Sequence, residues 1–139
     1  MGYEEPKIQI LVADDEPVVL EFMHFTLTHW GYRVILAKSG KEALEKAVID
    51  KPDIILLDYN LQDMDGAEIY GGLKGNPKTA DIAVLFVTGS LSEELAEVTG
   101  RLGAIEIITK PFDYNLLREI LNNISNNITV KKHNECHIG

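Results

Sequence analysis

Five short apolar runs recur along the chain, and each is followed by polar or turn-forming residues. The runs are rich in isoleucine, valine and leucine, a composition typical of strands that are buried on both faces of a sheet. We therefore predict strands at Ile8–Ala13, Arg33–Ala37, Ile54–Asp58, Ile82–Val87 and Ile105–Ile108. The second run begins with arginine and is shorter in its apolar part, which favours an edge position.

Segments that lie between and after these runs have helical periodicity. Pro17 suits a first helical turn, and Gly31 suits a left-handed C-cap after Trp30. A capping box at Ser39 begins the second helix. The third helix should be short or irregular, because Gly71 and Gly72 disfavour a helix interior. The second helix has Ala43, Leu44, Ala47 and Val48 on one face. The other predicted helices are residues 17–30, 66–74, 92–102 and 114–123, the first of them carrying Val18, Phe22, Phe25 and Leu27.

Strict alternation of strands and helices with short connections predicts parallel strands joined by right-handed crossovers. The fold class is therefore α/β, a three-layer doubly wound (βα)5 sandwich. A parallel five-stranded sheet of order 2-1-3-4-5, as in flavodoxin-like folds, suits this chain. From residue 126 onward the sequence is polar and unpatterned, so we predict a mobile tail over residues 126–139. The domain itself is predicted at residues 7–125, after an N-terminal extension of residues 1–6.

Composition and charge narrow the function classes. The chain has 139 residues, 45% hydrophobic residues and a formal net charge of −9. Such an acidic domain repels phosphate backbones, so we expect no direct nucleic-acid partner. No apolar run approaches a membrane span, and residues 1–6 lack the basic and apolar regions of a signal peptide. The single cysteine, Cys136, excludes an internal disulfide, and we expect a cytoplasmic protein.

Polar side chains follow four of the five predicted strands. Asp14 and Asp15 follow the first, Asp58 ends the third, and Thr88 and Lys110 follow the fourth and fifth. The carboxyl ends of parallel strands meet at one edge of the sheet, where such folds bind ligands. Converging carboxylates must share protons or hold a cation, and Mg²⁺ suits hard oxygen ligands. Together with an ammonium and a hydroxyl, they can surround a phosphoryl group that the central carboxylate attacks as nucleophile.

Asp14-Asp15, Asp58, Thr88 and Lys110-Pro111-Phe112 resemble the receiver domain of two-component response regulators, and the run from Asp58 to Gly66 is similar to that of chemotaxis regulators. The resemblance implies that Asp58 accepts a phosphoryl group from a phosphohistidine. It implies a Mg²⁺ (or Mn²⁺) site made by Asp14, Asp15, Asp58 and the backbone carbonyl of Asn60. It further implies that Lys110 pairs with the phosphoryl group, that Thr88 moves to hydrogen-bond it, and that Lys110-Pro111 is a cis peptide.

Three positions depart from the family pattern. Ile107 stands where members usually carry Tyr or Phe, so we hypothesise weaker or differently routed coupling between Asp58 and the face made by the fourth helix, fifth strand and fifth helix. Gln62 replaces a frequent proline, which predicts a more mobile loop and third helix. Asn60 and Ser90 occupy positions that resemble tuners of phosphoryl lifetime, and their small size predicts a phosphoryl group that hydrolyses. Ala83 replaces another frequent proline, with no expected effect.

The implied partners are a sensor histidine kinase or phosphotransfer protein, and a downstream protein that reads the helix four–strand five–helix five face. The sequence leaves homodimer formation open. The domain is then a signalling switch that assists only its own phosphorylation and dephosphorylation, not a turnover enzyme. Two alternatives are a haloacid-dehalogenase-like phosphatase, disfavoured because Asn60 replaces its acid–base Asp, and a flavin module, disfavoured by Asp14-Asp15-Glu16. A receiver cut from a larger hybrid kinase or regulator is a third alternative.

Overall fold

A computed structural model describes residues 7–89, 100–101 and 106–138 of the chain. Its strands form one parallel five-stranded sheet of order β2-β1-β3-β4-β5, which confirms the predicted fold and the edge position of the second strand. The strands are β1 (Gln9–Ala13), β2 (Arg33–Ala37), β3 (Ile54–Asp58), β4 (Ala83–Thr88) and β5 (Glu106–Thr109). The helices are α1 (Pro17–His29), α2 (Gly40–Asp50), α3 (Gly66–Lys74) and the C-terminal helix (Tyr114–Ile138).

Each face of the sheet carries its own hydrophobic core. Side chains alternate between the two faces along every strand, so Ile54 and Leu56 of β3 face one way and Ile55 and Leu57 the other. The first core contains side chains of α1 and the C-terminal helix, and the second contains side chains of α2 and α3. The described helices therefore cover both faces of a three-layer sandwich. None of these described helices combines the length and apolar character needed to cross a bilayer.

The C-terminal helix is longer than the sequence led us to expect. It was predicted to end near Asn123 and to be followed by a mobile tail over residues 126–139, but the structure continues it to Ile138. No glycine or proline interrupts this segment. Ile124 is buried, and Ile128, one turn later, packs against the same core. The boundary at Asn123 was wrong because these two apolar positions extend the helical stripe of Leu117 and Leu121 among polar residues.

The apolar residues of the first helix divide between the core and the surface. Val18 and Phe25 are 77% and 71% exposed, and Phe22 is about half exposed. The buried side chains of α1 are instead Leu20, Met23 and Leu27. Because three aromatic and aliphatic residues lie outside the core stripe, apolar character alone could not identify the inward face of this helix.

The loop after β3 is held at several points. Leu61 is buried. The Asp63 carboxylate accepts hydrogen bonds from the backbone N–H groups of Gly40 and Lys41, at 2.8 and 3.0 Å. The Asp65 side chain caps α3 by accepting from the Glu68 N–H at 2.8 Å. The third helix is short but regular. The contacts of Leu61, Asp63 and Asp65 give the loop more support than the absence of a proline at position 62 suggested. The mobility of the loop and of α3 stays a prediction.

Candidate functional site

The polar groups predicted at the strand ends do converge on one edge of the sheet. Parallel register sets Ala13 beside Leu57 and Asp58 beside Val87, so Asp14, which follows β1, lies near Asp58, which ends β3. Thr88 pairs with Thr109 of β5, and its carbonyl accepts the Lys110 N–H at 2.7 Å. The carboxyl ends of β1, β3, β4 and β5 thus place Asp14, Asp58, Thr88 and Lys110 along one edge of the sheet.

Lys110 joins the two buried carboxylates. Its ammonium lies 2.7 Å from Asp14 Oδ2 and 3.3 Å from Asp58 Oδ2. The side chains of Asp14 and Asp58 are 4% and 10% exposed, against 21% for Lys110. The bond between Lys110 and Pro111 is cis, as the resemblance implied. Burial of two carboxylates against one cation leaves the cluster with a net negative charge, which favours a further cation.

Backbone N–H groups hold the remaining carboxylate oxygens. The Asn60 N–H donates to Asp58 Oδ1 at 3.0 Å, and the Glu16 N–H donates to Asp14 Oδ1 at 2.9 Å. Each acidic side chain therefore has one oxygen on its own following turn and one directed to Lys110. This arrangement fixes both carboxylates at the rim with one oxygen each facing a shared ammonium.

The environment shifts the protonation of the central groups. Burial raises the pKa of Asp58, against the opposing effects of the Asn60 N–H and the Lys110 charge. Burial alone would lower the pKa of Lys110, but its hydrogen bond to Asp14 and the charges of Asp58 and Asp14 outweigh burial and raise it. Lys110 is thus kept as a cation, while Asp58 is a carboxylate whose charge is costly to bury and which gains from a positive partner.

The acidic residues after β1 fit a hard divalent cation. Asp14, Asp15 and Glu16 can each direct one carboxylate oxygen so that all three lie within 4.8 Å of one another. Asp14 is buried, Asp15 is partly buried and Glu16 is exposed. Oxygen ligands with room for water are what Mg²⁺ selects. The sequence had singled out the first two residues; Glu16 was missed as a donor, although it stands next to them.

Not every predicted site residue falls within the described structure. Ser90 and most of the predicted fourth helix lie outside the described residues. Thr88 is fully buried at the end of β4. Ile107 is partly buried and packs against the core on the α2–α3 face, opposite Phe86 of β4. Asn60 is exposed and forms an isolated antiparallel bridge with Asp65.

One aromatic residue at the site was not anticipated. Tyr59 directly follows Asp58, and its ring contacts Phe86 edge-on with ring centroids 5.4 Å apart. A single tyrosine between an acidic residue and a polar loop belongs to no periodic pattern, so nothing in the sequence indicated that its ring would pack against Phe86.

The fold and the crevice define a doubly wound α/β domain with an acidic cluster and a lysine at the carboxyl edge of its sheet. Residues 10–122 match the family model described as the response regulator receiver domain, and the chain belongs to that family. Receiver domains are generally signalling switches rather than turnover enzymes, and they typically bind Mg²⁺ in an acidic pocket. Membership of this family leaves the phosphatase and flavin alternatives without support.

Relatives and solved structures agree with this assignment. The chain is 40% identical over 103 residues to the transcriptional regulatory protein KdpE of Mycobacterium tuberculosis, covering 74% of this chain and 44% of that protein. It is also 40% identical to the regulatory protein PhoP of Bacillus subtilis, covering 75% and 42%. The chain thus spans less than half the length of these curated relatives. The chemotaxis protein CheY4 of Vibrio cholerae superposes with a TM-score of 0.80 at 28% identity, covering 86% and 99%.

Proposed function

We propose that Asp58 is the phosphoacceptor of a two-component phosphorelay, taking a phosphoryl group from the phosphohistidine of a sensor kinase or phosphotransfer protein. The observation that carries this proposal is the buried Asp58 carboxylate, 3.3 Å from the Lys110 ammonium at the carboxyl edge of the sheet. One Asp58 oxygen attacks phosphorus, a P–O bond forms, and the P–N bond breaks so that its electron pair returns to the imidazole. The product is an aspartyl phosphate.

The surrounding side chains have distinct roles in this proposal. Lys110, already beside Asp58, exchanges part of its contact with the carboxylate for a phosphoryl oxygen. The Thr88 hydroxyl hydrogen-bonds a second phosphoryl oxygen. Asp14, Asp15, Asp58 and the Asn60 carbonyl would hold Mg²⁺ or Mn²⁺, and Glu16 stands close enough to contribute through water. When bound, the cation neutralises charge that develops on the transferring oxygens.

Intact mass after incubation with acetyl phosphate and MgCl₂ tests the chemistry. We expect a gain of one phosphoryl group that is lost in Asp58→Ala. Asp81→Ala is the matched control, because Asp81 is an exposed aspartate outside the crevice, in the turn before β4. A gain of the same size in Asp58→Ala would assign the phosphoacceptor elsewhere. No gain in the wild-type chain would contradict the proposal.

An exposed apolar surface beside the crevice supports docking of the phosphodonor. Val18, Phe22 and Phe25 of α1 lie outside the core, and the Phe22 ring contacts Tyr114 with centroids 5.4 Å apart. Helix α1 begins directly after the acidic residues, so a protein seated here has its donor histidine near Asp58. Exposed apolar clusters of this kind mark protein contacts. Phe25→Glu should slow phosphorylation by a kinase while leaving phosphorylation by acetyl phosphate unchanged; equal slowing of both would contradict a docking role.

Readout is proposed through the face that includes β5 and the start of the C-terminal helix. NMR shifts induced by phosphorylation on that face test this, and Ile107→Tyr tests the hypothesis about coupling. Phosphorylation-induced NMR shifts that are the same in Ile107→Tyr and in the wild type would contradict the hypothesis that isoleucine weakens coupling between Asp58 and this face. The lifetime prediction for Asn60 and Ser90 is tested in Mg²⁺ buffer, where a phosphoform that persists for days would refute it.

A further inference from the structure

The Tyr59 ring lies directly against Gly66, the first residue of α3. A Cβ built on Gly66 would be 2.4 Å from Tyr59 Cδ2 and 3.0 Å from Phe86 Cε1. Carbon atoms at van der Waals contact lie about 3.5–4.0 Å apart, so a 2.4 Å approach forces one group to move. The ring therefore occupies the space that a side chain at position 66 would take.

The ring cannot move toward the sheet to relieve such a conflict. Phe86, which meets Tyr59 edge-on, is fully buried and also contacts the Tyr70 ring at 5.7 Å between centroids. Protein cores are close-packed, so the rings of this aromatic cluster have little room to shift. A side chain at position 66 would instead push the Tyr59 ring outward, away from α3.

Tyr59 also closes the loop through its backbone. Its carbonyl accepts the Gly66 N–H at 2.7 Å, and its N–H donates to the Val87 carbonyl at 2.9 Å. Between these two contacts, Asn60 and Asp65 form an antiparallel bridge. Residues 60–65 are thus a closed loop whose neck is Tyr59 against Gly66.

We propose that the Tyr59 ring and Gly66 form a clasp that fixes the position of Asn60. With the neck closed, the Asn60 N–H stays on Asp58 Oδ1 and the Asn60 carbonyl stays available to a divalent cation. Tyr59 is a positioning residue, because it acts through Asn60 and not on the reacting atoms. The clasp rests on the proposed function in one respect, that the Asn60 carbonyl is a metal ligand.

The dissociation constant of Mg²⁺, measured by calorimetric titration without a phosphoryl donor, tests the clasp. Gly66→Ala should weaken Mg²⁺ binding about tenfold, the lower range for loss of an outer contact to a metal ligand. Gly71→Ala is the matched control, since a Cβ there meets no atom within 4 Å in the same helix. It should leave the dissociation constant unchanged. Equal constants for both alanine variants would overturn the clasp.

Substitutions of the ring separate the clasp from general packing. Tyr59→Phe keeps the ring and should bind Mg²⁺ as the wild type does, whereas Tyr59→Ala should lose affinity as Gly66→Ala does. Because both changes open the same neck, the double variant should bind about as weakly as either single variant. A double variant whose loss is the product of the two single losses would show independent effects and overturn the clasp. If Gly66→Ala does not fold, the comparison of Mg²⁺ affinity between Tyr59→Phe and Tyr59→Ala tests the clasp by itself.

Asp15→Ala distinguishes failure of the clasp from failure of the proposed function. Loss of Mg²⁺ binding in Asp15→Ala, together with wild-type binding in Gly66→Ala and Tyr59→Ala, would support the metal site and contradict the clasp. Retained Mg²⁺ binding in Asp15→Ala would contradict the proposed metal site, and with it the proposed function on which the clasp rests. Melting temperatures measured for each variant verify that binding is compared between folded proteins.

Discussion

Lys110→Met removes the only positive charge that the described residues place between Asp14 and Asp58. Methionine keeps a similar length of apolar stem, so packing along the side chain is largely retained. Both carboxylates remain buried, at 4% and 10% side-chain exposure. They then lack a cation and keep only the hydrogen bonds from the backbone N–H groups of Glu16 and Asn60, and a buried charge left without its ion-pair partner is costly.

The expected loss follows from this burial. Removing one partner of a buried pair costs about 3–5 kcal/mol, and water reaches the partly exposed Lys110 site, so we expect about 3 kcal/mol. For a domain of this size, that corresponds to a fall of about 10 °C in melting temperature. Added Mg²⁺ should stabilise the variant more than the wild type, because the more negative crevice binds the cation more tightly.

Urea unfolding at pH 7, with and without MgCl₂, measures both effects. Lys41→Met is the matched control, since Lys41 is exposed on α2 and should change stability by less than about 0.5 kcal/mol. A loss below about 1 kcal/mol for Lys110→Met would show that the buried carboxylates do not need the ammonium. Equal stabilisation of variant and wild type by Mg²⁺ would refute the electrostatic reasoning.

Four further changes test other parts of the structure. Burial raises the pKa of Asp58, so the folded protein binds this proton more tightly than the unfolded chain and loses stability as the pH rises through the raised value. Asp58→Asn should therefore be more stable than the wild type at pH 7, with the difference shrinking toward pH 3.8 in urea unfolding. Lys51 ends α2 at φ 47°, and Lys51→Gly should raise the free energy of unfolding by about 0.5 kcal/mol. Ile128→Ala should cost about 1–2 kcal/mol if the extended helix packs as described, whereas Val130→Ala, at an exposed position, should cost little. Asp63→Ala frees two backbone amides at the start of α2, and their hydrogen exchange should accelerate while the amides of β1 stay protected.

Most of the sheet could be predicted because its strands are continuous apolar runs. Each described strand lies within a residue of its predicted bounds, and Asp14, Asp58 and Lys110 meet at the expected edge of the sheet. Alternation and short connections predicted parallel strands, whereas the order 2-1-3-4-5 was chosen between two common orders because it suits a five-stranded chain. These features depend on local composition and on chain topology, both of which are legible in a single sequence.

Side-chain contacts over long sequence separations could not be predicted in this way. The sequence indicated that Asp58 and Lys110 share an edge, but not that Lys110 lies nearer to Asp14 than to Asp58. The inward face of α1 and the length of the C-terminal helix depend on which apolar residues find partners across the core. That depends on packing between elements, which no local pattern encodes.

Ile107 and Tyr59 both bear on how far a structural change at Asp58 is transmitted through the domain. The two residues pack against the same core on the α2–α3 face, and Phe86 contacts the Tyr59 ring and pairs with Ile107 in the register of β4 and β5. Ile107, which lacks a hydroxyl, is therefore next to a group of contacting aromatic rings that begins at Tyr59, one residue after Asp58. Phe86 thus connects the ring of Tyr59 both to Tyr70 of α3 and to position 107 of β5. We therefore expect NMR shifts induced by phosphorylation to include residues of α3 as well as β5, and shifts confined to β5 would contradict a route through Phe86.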